Sequence, residues 1–285
     1  MKHLLLLSFS LLMTLHLSAQ HPYPPVGKVQ MQKLNSTILN TERDYAIYLP
    51  KSYTTDTLRQ FPVLYLLHGL YGNHKDWSER GHVADVANQV FDSGMADEMI
   101  IVMPDAGTDW YGYFNMKGWE YERFFFEEFM PAIEKRFRIK GDKAHRAIAG
   151  LSMGGGGTTA YAQKHPDLFA SAYAMSALMA LPEFGRAPST DFKMQELNQS
   201  VTANSCIDHV IKADEAGKAA LRSVRWFVDC GDDDFLFDVN LDFYRAMIKA
   251  HIPCQLRVRD GGHTWEYWHS ALYLALPWVS NGFGK

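Results

Sequence analysis

The chain has 285 residues, 47% apolar and 21% charged. This is an ordinary globular balance with enough apolar mass for one large core, and α/β folds of roughly this size commonly form a single unit. A formal net charge of −4 leaves no basic excess to hold a phosphate backbone or an anionic membrane surface, so nucleic acid is set aside as a partner.

In chain order, Lys2 and His3 precede an apolar run from Leu4 to Leu17, and Ser18-Ala19-Gln20 follows with small residues. The pattern predicts a secretory signal peptide over residues 1–19 and an exported protein, periplasmic or extracellular. At about 14 residues the run falls short of the roughly 20 that a bilayer core requires, so no membrane anchor is expected in the mature form. Residues 20–285 are expected to form a single domain. His21 to Gly27, with Pro22, Pro24 and Pro25, reads as an N-terminal arm.

Beyond the arm, short β-branched or aromatic runs alternate with longer helical patterns. Strands are expected at Tyr45–Leu49, Val63–Leu67, Met99–Met103, Arg146–Ala149, Ala170–Ala174, Arg225–Cys230 and Gln255–Arg259, mostly continuous apolar runs of the kind buried on both faces of a parallel sheet. Helices are expected near Val83–Phe91, Phe124–Phe137, Met153–Lys164, Asn240–Ala250 and Thr264–Leu274. Phe125, Phe129, Ile133 and Phe137 recur every four residues, a stripe that suits a core-facing helix surface. The segment 176–223, with Pro182, Gly185 and Pro188, breaks the rhythm and reads as an insertion or lid over the sheet edge. Alternation of this kind predicts an α/β fold, a mostly parallel sheet with helices on both faces and ligand sites at the carboxyl ends of its strands.

Gly150-Leu151-Ser152-Met153-Gly154 sits between an expected strand and an expected helix, the setting of a nucleophile elbow. Two glycines allow the tight turn that lifts a serine hydroxyl above the sheet. Gly155, Gly156 and Gly157 extend the run, but the lysine and hydroxyl residue of a phosphate loop do not follow it. A serine needs a base, and the base a carboxylate, in the order serine, acid, histidine along this fold. His251 reads as a helix-end surface residue and His269 as a structural helix residue. His263, in the turn Asp260-Gly261-Gly262-His263 after the last strand, is the expected base.

The acid is expected after the strand Arg225–Cys230, among Asp232, Asp233 and Asp234. Such a run also suits a solvated loop or a calcium-binding surface, and spacing alone does not choose. Oxyanion donors are expected from the amides of Leu70, in the turn after Val63–Leu67, and of Met153, with His68 holding the loop. Trp110, Tyr111, Tyr113, Phe114 and Trp265 are candidates to line a substrate pocket, with packing beneath a loop as the alternative. No HExxH motif is present, and no metal or other cofactor is expected. Cys206, Cys230 and Cys254 show neither CxxC spacing nor a histidine cluster and read as buried thiols.

The chain resembles the esterase branch of the α/β-hydrolases, which includes feruloyl and acetylxylan esterases of carbohydrate esterase family one, tributyrin-type esterases and S-formylglutathione hydrolase. The resemblance rests on LLHGLYGNHKDW (66–77), VMPDAG with WY after it (102–111), FFFEEFMPAIEKRF (124–137), AGLSMGGGG (149–157), CGDDDFL (230–236) and GGHTWEYW (261–268). It implies Asp234 as the acid, with Asp232 in reserve, and hydrolysis of a small-molecule or oligosaccharide ester through an acyl-enzyme. Acyl transfer to a sugar hydroxyl and a non-catalytic binding protein are the competing expectations.

Overall fold

The computed structural model describes residues 26–108, 112–183 and 190–284; the leader expected over residues 1–19 lies outside them. Eight strands form the main sheet: β1 (Lys28–Ser36), β2 (Thr41–Leu49), β3 (Val63–Leu67), β4 (Ile100–Pro104), β5 (Arg146–Leu151), β6 (Ser171–Met175), β7 (Arg225–Gly231) and β8 (Cys254–Arg259). They lie side by side in the order β1-β2-β4-β3-β5-β6-β7-β8. β1 and β2 pair antiparallel, and β2 pairs antiparallel with β4. All pairings from β4 to β8 are parallel.

β3 shows why its residues read as a continuous apolar run. Val63, Tyr65 and Leu67 point into one core, Leu64 and Leu66 into another, and all five are buried. The first core is covered by α2 (Tyr121–Phe124, a π-helical turn Phe125–Phe129, then Met130–Arg136), α3 (Met153–Lys164) and α7 (Phe237–Lys249). The second is covered by α1 (Val83–Asp92) and α8 (Trp265–Ser280). Phe125, Phe129 and Ile133 of the expected aromatic stripe are buried in the first core.

Several boundaries move. β1 went unread because an edge strand carrying Gln30, Gln32 and Lys33 has no apolar run; it is recognised by pairing with β2. α7 starts at Phe237 and α8 continues to Ser280 through Pro277. The described part of 176–223 forms the crossover between parallel β6 and β7. It holds α4 (Phe192–Ala203), α5 (Cys206–Lys212) and α6 (Glu215–Leu221). Asp191, Ser205 and Asp214 cap these helices, each accepting backbone N–H bonds from the first turn. Val210 and Leu221 sink into the core beside Phe243, and Gln163 of α3 donates to the Cys206 carbonyl at 2.9 Å. Cys206, Cys230 and Cys254 are free thiols, the first two buried.

One buried ion pair fastens α2 to the start of β5. Arg146 donates to both oxygens of Glu134 at 2.7 and 2.9 Å and to the carbonyls of Leu168 and Gly141. Tyr65 donates to the same carboxylate at 3.1 Å. Glu134→Ala strands this guanidinium in a site only 5% exposed. The expected cost is about 3–5 kcal/mol, read as a lowered midpoint in urea denaturation with an unchanged slope.

Candidate active site

Strand register brings the candidate residues together. Leu67 pairs with Gly150, Leu151 with Met175, Met175 with Asp229 and Gly231 with Arg259. The carboxyl ends of β3, β5, β6, β7 and β8 therefore fall within three residue positions of one another on the same side of the sheet. The loops leaving them carry His68–Leu70, Ser152, Ser176, Asp232–Asp234 and Gly261–His263 along one rim.

Ser152 has φ 54° and ψ −119°, a backbone that L-residues avoid. The turn is tight enough to exclude side chains at both flanking glycines. A Cβ on Gly150 would sit 2.5 Å from the Gly154 carbonyl oxygen, and one on Gly154 would sit 2.7 Å from the Leu67 carbonyl oxygen. The Ser152 N–H donates to Met175 C=O at 2.9 Å, and its carbonyl accepts from Gly156 and Leu178. Serine at a helix start usually turns its hydroxyl back onto the first-turn amides. Here no such bond forms, and Ser152 Oγ lies 3.0 Å from His263 Nε2.

The other ring nitrogen of His263, Nδ1, lies 3.0 and 2.9 Å from the two carboxylate oxygens of Asp234. Burial by itself would raise the Asp234 carboxyl, but hydrogen bonds from His263 and from the Leu236 N–H (2.8 Å to Oδ1) outweigh it. They hold the group below the usual carboxylate range and therefore ionised. Asp234 thus occupies the place left open among three aspartates. Asp232 turns away and accepts from the Gly261 N–H at 3.2 Å. Asp232, Asp233 and Asp260 form an exposed acidic group beside the site. Directly after His263, the Thr264 side chain caps α8 by accepting from Tyr267 N–H, so the histidine loop ends on a fixed point.

The loop after β3 is held by His68, which is buried. Its Nδ1 contacts Gly69 O at 2.8 Å, and its Nε2 accepts from Ala106 N–H at 2.9 Å. Burial lowers its proton affinity, in keeping with a neutral structural ring. Tyr113 is also buried and donates to His68 O at 3.0 Å, and Phe114 packs in the same core, so neither faces a ligand. Asp105 pins the next loop, bonding Arg43 at 2.6 Å, His74 at 3.0 Å and the Gly107 N–H at 2.8 Å. Trp110 and Tyr111 lie outside the described residues.

A cleft of about 660 Å³ opens at the site, lined by Ser152, His263, Leu70, Phe235, Trp265 and Arg80 among others. Trp265 is half-buried there, edge-on to Trp77 and Trp268 and beneath the Arg80 guanidinium, 5.0 Å from its ring centre. Met153 is buried and follows the serine at the first position of α3, where the helix supplies no acceptor for its N–H.

Residues 36–279 match the family described as Putative esterase. The chain belongs to this esterase family. A solved ferulic acid esterase is 55% identical and superposes with a TM-score of 0.88, covering 91% of this chain and 100% of that one. An acetyl esterase of Caldicellulosiruptor saccharolyticus is 23% identical over 76% of this chain and 83% of its own. An endo-1,4-beta-xylanase/feruloyl esterase of Xylanibacter ruminicola is 31% identical over 55% of this chain and 22% of its own. The esterase is accordingly a carboxylic ester hydrolase with a mostly parallel α/β sheet.

Sequence reasoning passed over Ser176 and Asn240, both fully buried beside the acid loop. Ser176 stood at the start of a segment assigned to an insertion. Its signal was position, since it follows a buried strand directly and so shares the rim. The strain at Ser152 yields a prediction. Glycine at an ordinary site costs about 1 kcal/mol relative to alanine, but here it relieves a conformation costing about 1–3 kcal/mol. In thermal melts, Ser152→Gly is expected to be at least as stable as Ser152→Ala; a clearly lower melting temperature for the glycine variant would show that the turn is unstrained.

Proposed function

We propose that the esterase works through an acyl-enzyme on Ser152. The observation that carries this is the continuous chain from Ser152 Oγ through the His263 ring to the buried Asp234 carboxylate, at 3.0 and 2.9 Å. Ser152 Oγ attacks the ester carbonyl while His263 Nε2 takes its proton, and Asp234 steadies the imidazolium. The amides of Leu70 and Met153 face the developing oxyanion, each donor being worth about 3 kcal/mol in the transition state. The tetrahedral adduct collapses as His263 passes the proton to the leaving alcohol. Water then attacks the acyl carbonyl as the same nitrogen takes its proton, and the acid is released as His263 returns that proton to Ser152 Oγ.

Leaving-group protonation requires the alcohol oxygen on the His263 side of the serine. The cleft that holds Ser152 and His263 is also lined by the rings of Phe235 and Trp265 and by Arg80 and Glu266, which can hydrogen-bond. Rings beside charged hydroxyl partners suit a sugar alcohol. Together with the ferulic acid esterase at 55% identity, this supports feruloyl or acetyl esters of carbohydrate as the substrates. Export by the leader over residues 1–19 belongs to the same proposal, since such esters lie outside the cell.

Incubation with a fluorophosphonate followed by mass spectrometry is expected to place one adduct on Ser152. Ser152→Ala is expected to lose at least about 10⁴-fold in kcat with its fold intact. In a panel of acetyl, butyryl and feruloyl esters on simple alcohols and on xylo-oligosaccharides, the oligosaccharide esters are expected to show the higher kcat/KM. Preferred cleavage of simple alkyl esters would overturn the carbohydrate assignment, and dominant acyl transfer to an added alcohol would overturn hydrolysis as the reaction.

A further inference from the structure

Phe235 differs from its neighbours on the acid turn in facing outward. Asp234 and Leu236 are 4% and 1% exposed, whereas the phenyl ring between them is 58% exposed. An outward position of this kind ordinarily takes a polar side chain. The turn that carries the ring is fixed at several points. Asp234 Oδ1 accepts from Leu236 N–H at 2.8 Å, Asp234 C=O from Phe237 N–H at 2.8 Å, and Leu236 C=O from the Asn240 amide at 2.8 Å. Asn240 is in turn locked to Ala177, accepting its N–H at 3.0 Å and donating to its carbonyl at 2.8 Å. So mounted, the Phe235 ring lines the cleft that holds Ser152. Its centre lies 4.4 Å from that of the His263 imidazole, with the two planes 45° apart.

A second ring flanks the base. Trp268 stands perpendicular to His263, 4.9 Å between centres at 89°, and is buried. Its Nε1–H donates to Ser176 Oγ at 3.0 Å, and its ring packs at right angles to Trp265.

The imidazole has need of such walls. It follows Gly261 and Gly262, the first at φ 138°, so its tether is permissive backbone. The ionised Asp234 carboxylate is an acceptor only, so Nδ1 carries the proton of their bond. That bond anchors one corner of the ring and leaves the ring free to swing about it. In the resting site Ser152 Oγ holds the opposite corner, 3.0 Å from Nε2. Once acylated, the same oxygen has no proton to give. The second anchor is then lost for the half of the cycle in which His263 must activate water.

On the catalytic reading of Ser152, Asp234 and His263, we infer that Phe235 is a positioning residue. Together with Trp268 it keeps the His263 ring where Nε2 faces the reacting oxygen, above all in the acyl-enzyme. Without the phenyl ring the imidazole swings toward solvent, and each step that uses Nε2 slows in proportion to the time it spends displaced. Loss of one aromatic pair shifts such an equilibrium by about 3- to 10-fold.

The test compares wild type with Phe235→Ala, Phe235→Leu and Phe235→Tyr on 4-nitrophenyl acetate, whose small acyl group and simple alcohol keep substrate contacts few. Because the side chain is exposed, thermal midpoints are expected within about 2 °C of wild type. Phe235→Ala is expected to lose about 3- to 10-fold in kcat without a rise in KM, since slowed turnover of the acyl-enzyme does not weaken binding. Phe235→Leu, which keeps apolar bulk without the ring, is expected to fall between, and Phe235→Tyr to match wild type. In the fluorophosphonate adduct, where Ser152 no longer anchors the ring, the deshielded His263 Nδ1–H proton is expected to stay sharp in wild type and Phe235→Tyr. In Phe235→Ala its NMR signal is expected to broaden through exchange with water. A Phe235→Ala enzyme with wild-type kcat on this ester, or one altered in KM alone, would assign the ring to substrate contact and overturn the inference. Wild type that neither turns over the ester nor takes up the fluorophosphonate would overturn the catalytic reading itself, a result distinguishable from the first.

Discussion

Parallel strands whose carboxyl ends finish close together on one side of the sheet are the constraint from which the site follows. Because β3, β5, β6, β7 and β8 stop within about three rungs of each other, each loop needs only one to four residues beyond its strand to reach the rim. The reacting groups then stand on short tethers above a rigid floor, where hydrogen-bond distances near 3 Å can be kept. The antiparallel pair β1 and β2 lies at the far edge of the sheet and contributes no side chain to this rim.

The same closeness explains the strain. Ser152 and Ser176 both adopt positive φ, and both follow strands that end beside each other. Ser152 C=O accepts from Leu178, and Ser176 N–H reaches Asp229 C=O, so adjacent rim loops hold one another in shapes that neither would keep alone. The glycine run after the serine belongs to this compression. Gly155 and Gly156 lie where a Cβ would run into Ala177 and Leu178, which accounts for the run by packing rather than by phosphate binding.

Burial and charge are balanced in two layers. Asp234 sits at the rim with His263 and the Leu236 amide as donors. Below it, Asp229 is fully buried, bonded by the hydroxyls of Tyr173 and Tyr267 at 2.6 Å each and by Arg257. Tyr267 belongs to the first turn of α8, so the lower carboxylate anchors the helix whose start follows His263. Ionised groups in such surroundings are tolerable only when fully hydrogen-bonded, and the bonding they require stiffens the loops that carry the catalytic residues.

Much of the fold and site was legible in the residues alone. The apolar strands, the aromatic stripe of α2, the Gly-Leu-Ser-Met-Gly turn and the Gly-Gly-His turn are local patterns, set by burial periodicity and backbone sterics over a few positions. β1 was not legible, because a polar edge strand is defined by its partner, nor were the crossover helices α4 to α6, whose small apolar faces find their core only when the sheet is assembled. The choice of Asp234 over Asp232 was left open by spacing and implied only by the family resemblance; its physical reason is visible in three dimensions. Both follow a glycine at a strand end, but one side chain turns inward to His263 and the other outward to Gly261. Ser176 and Asn240 carry no motif at all; their part depends on contacts between loops far apart along the chain, which composition and spacing do not encode.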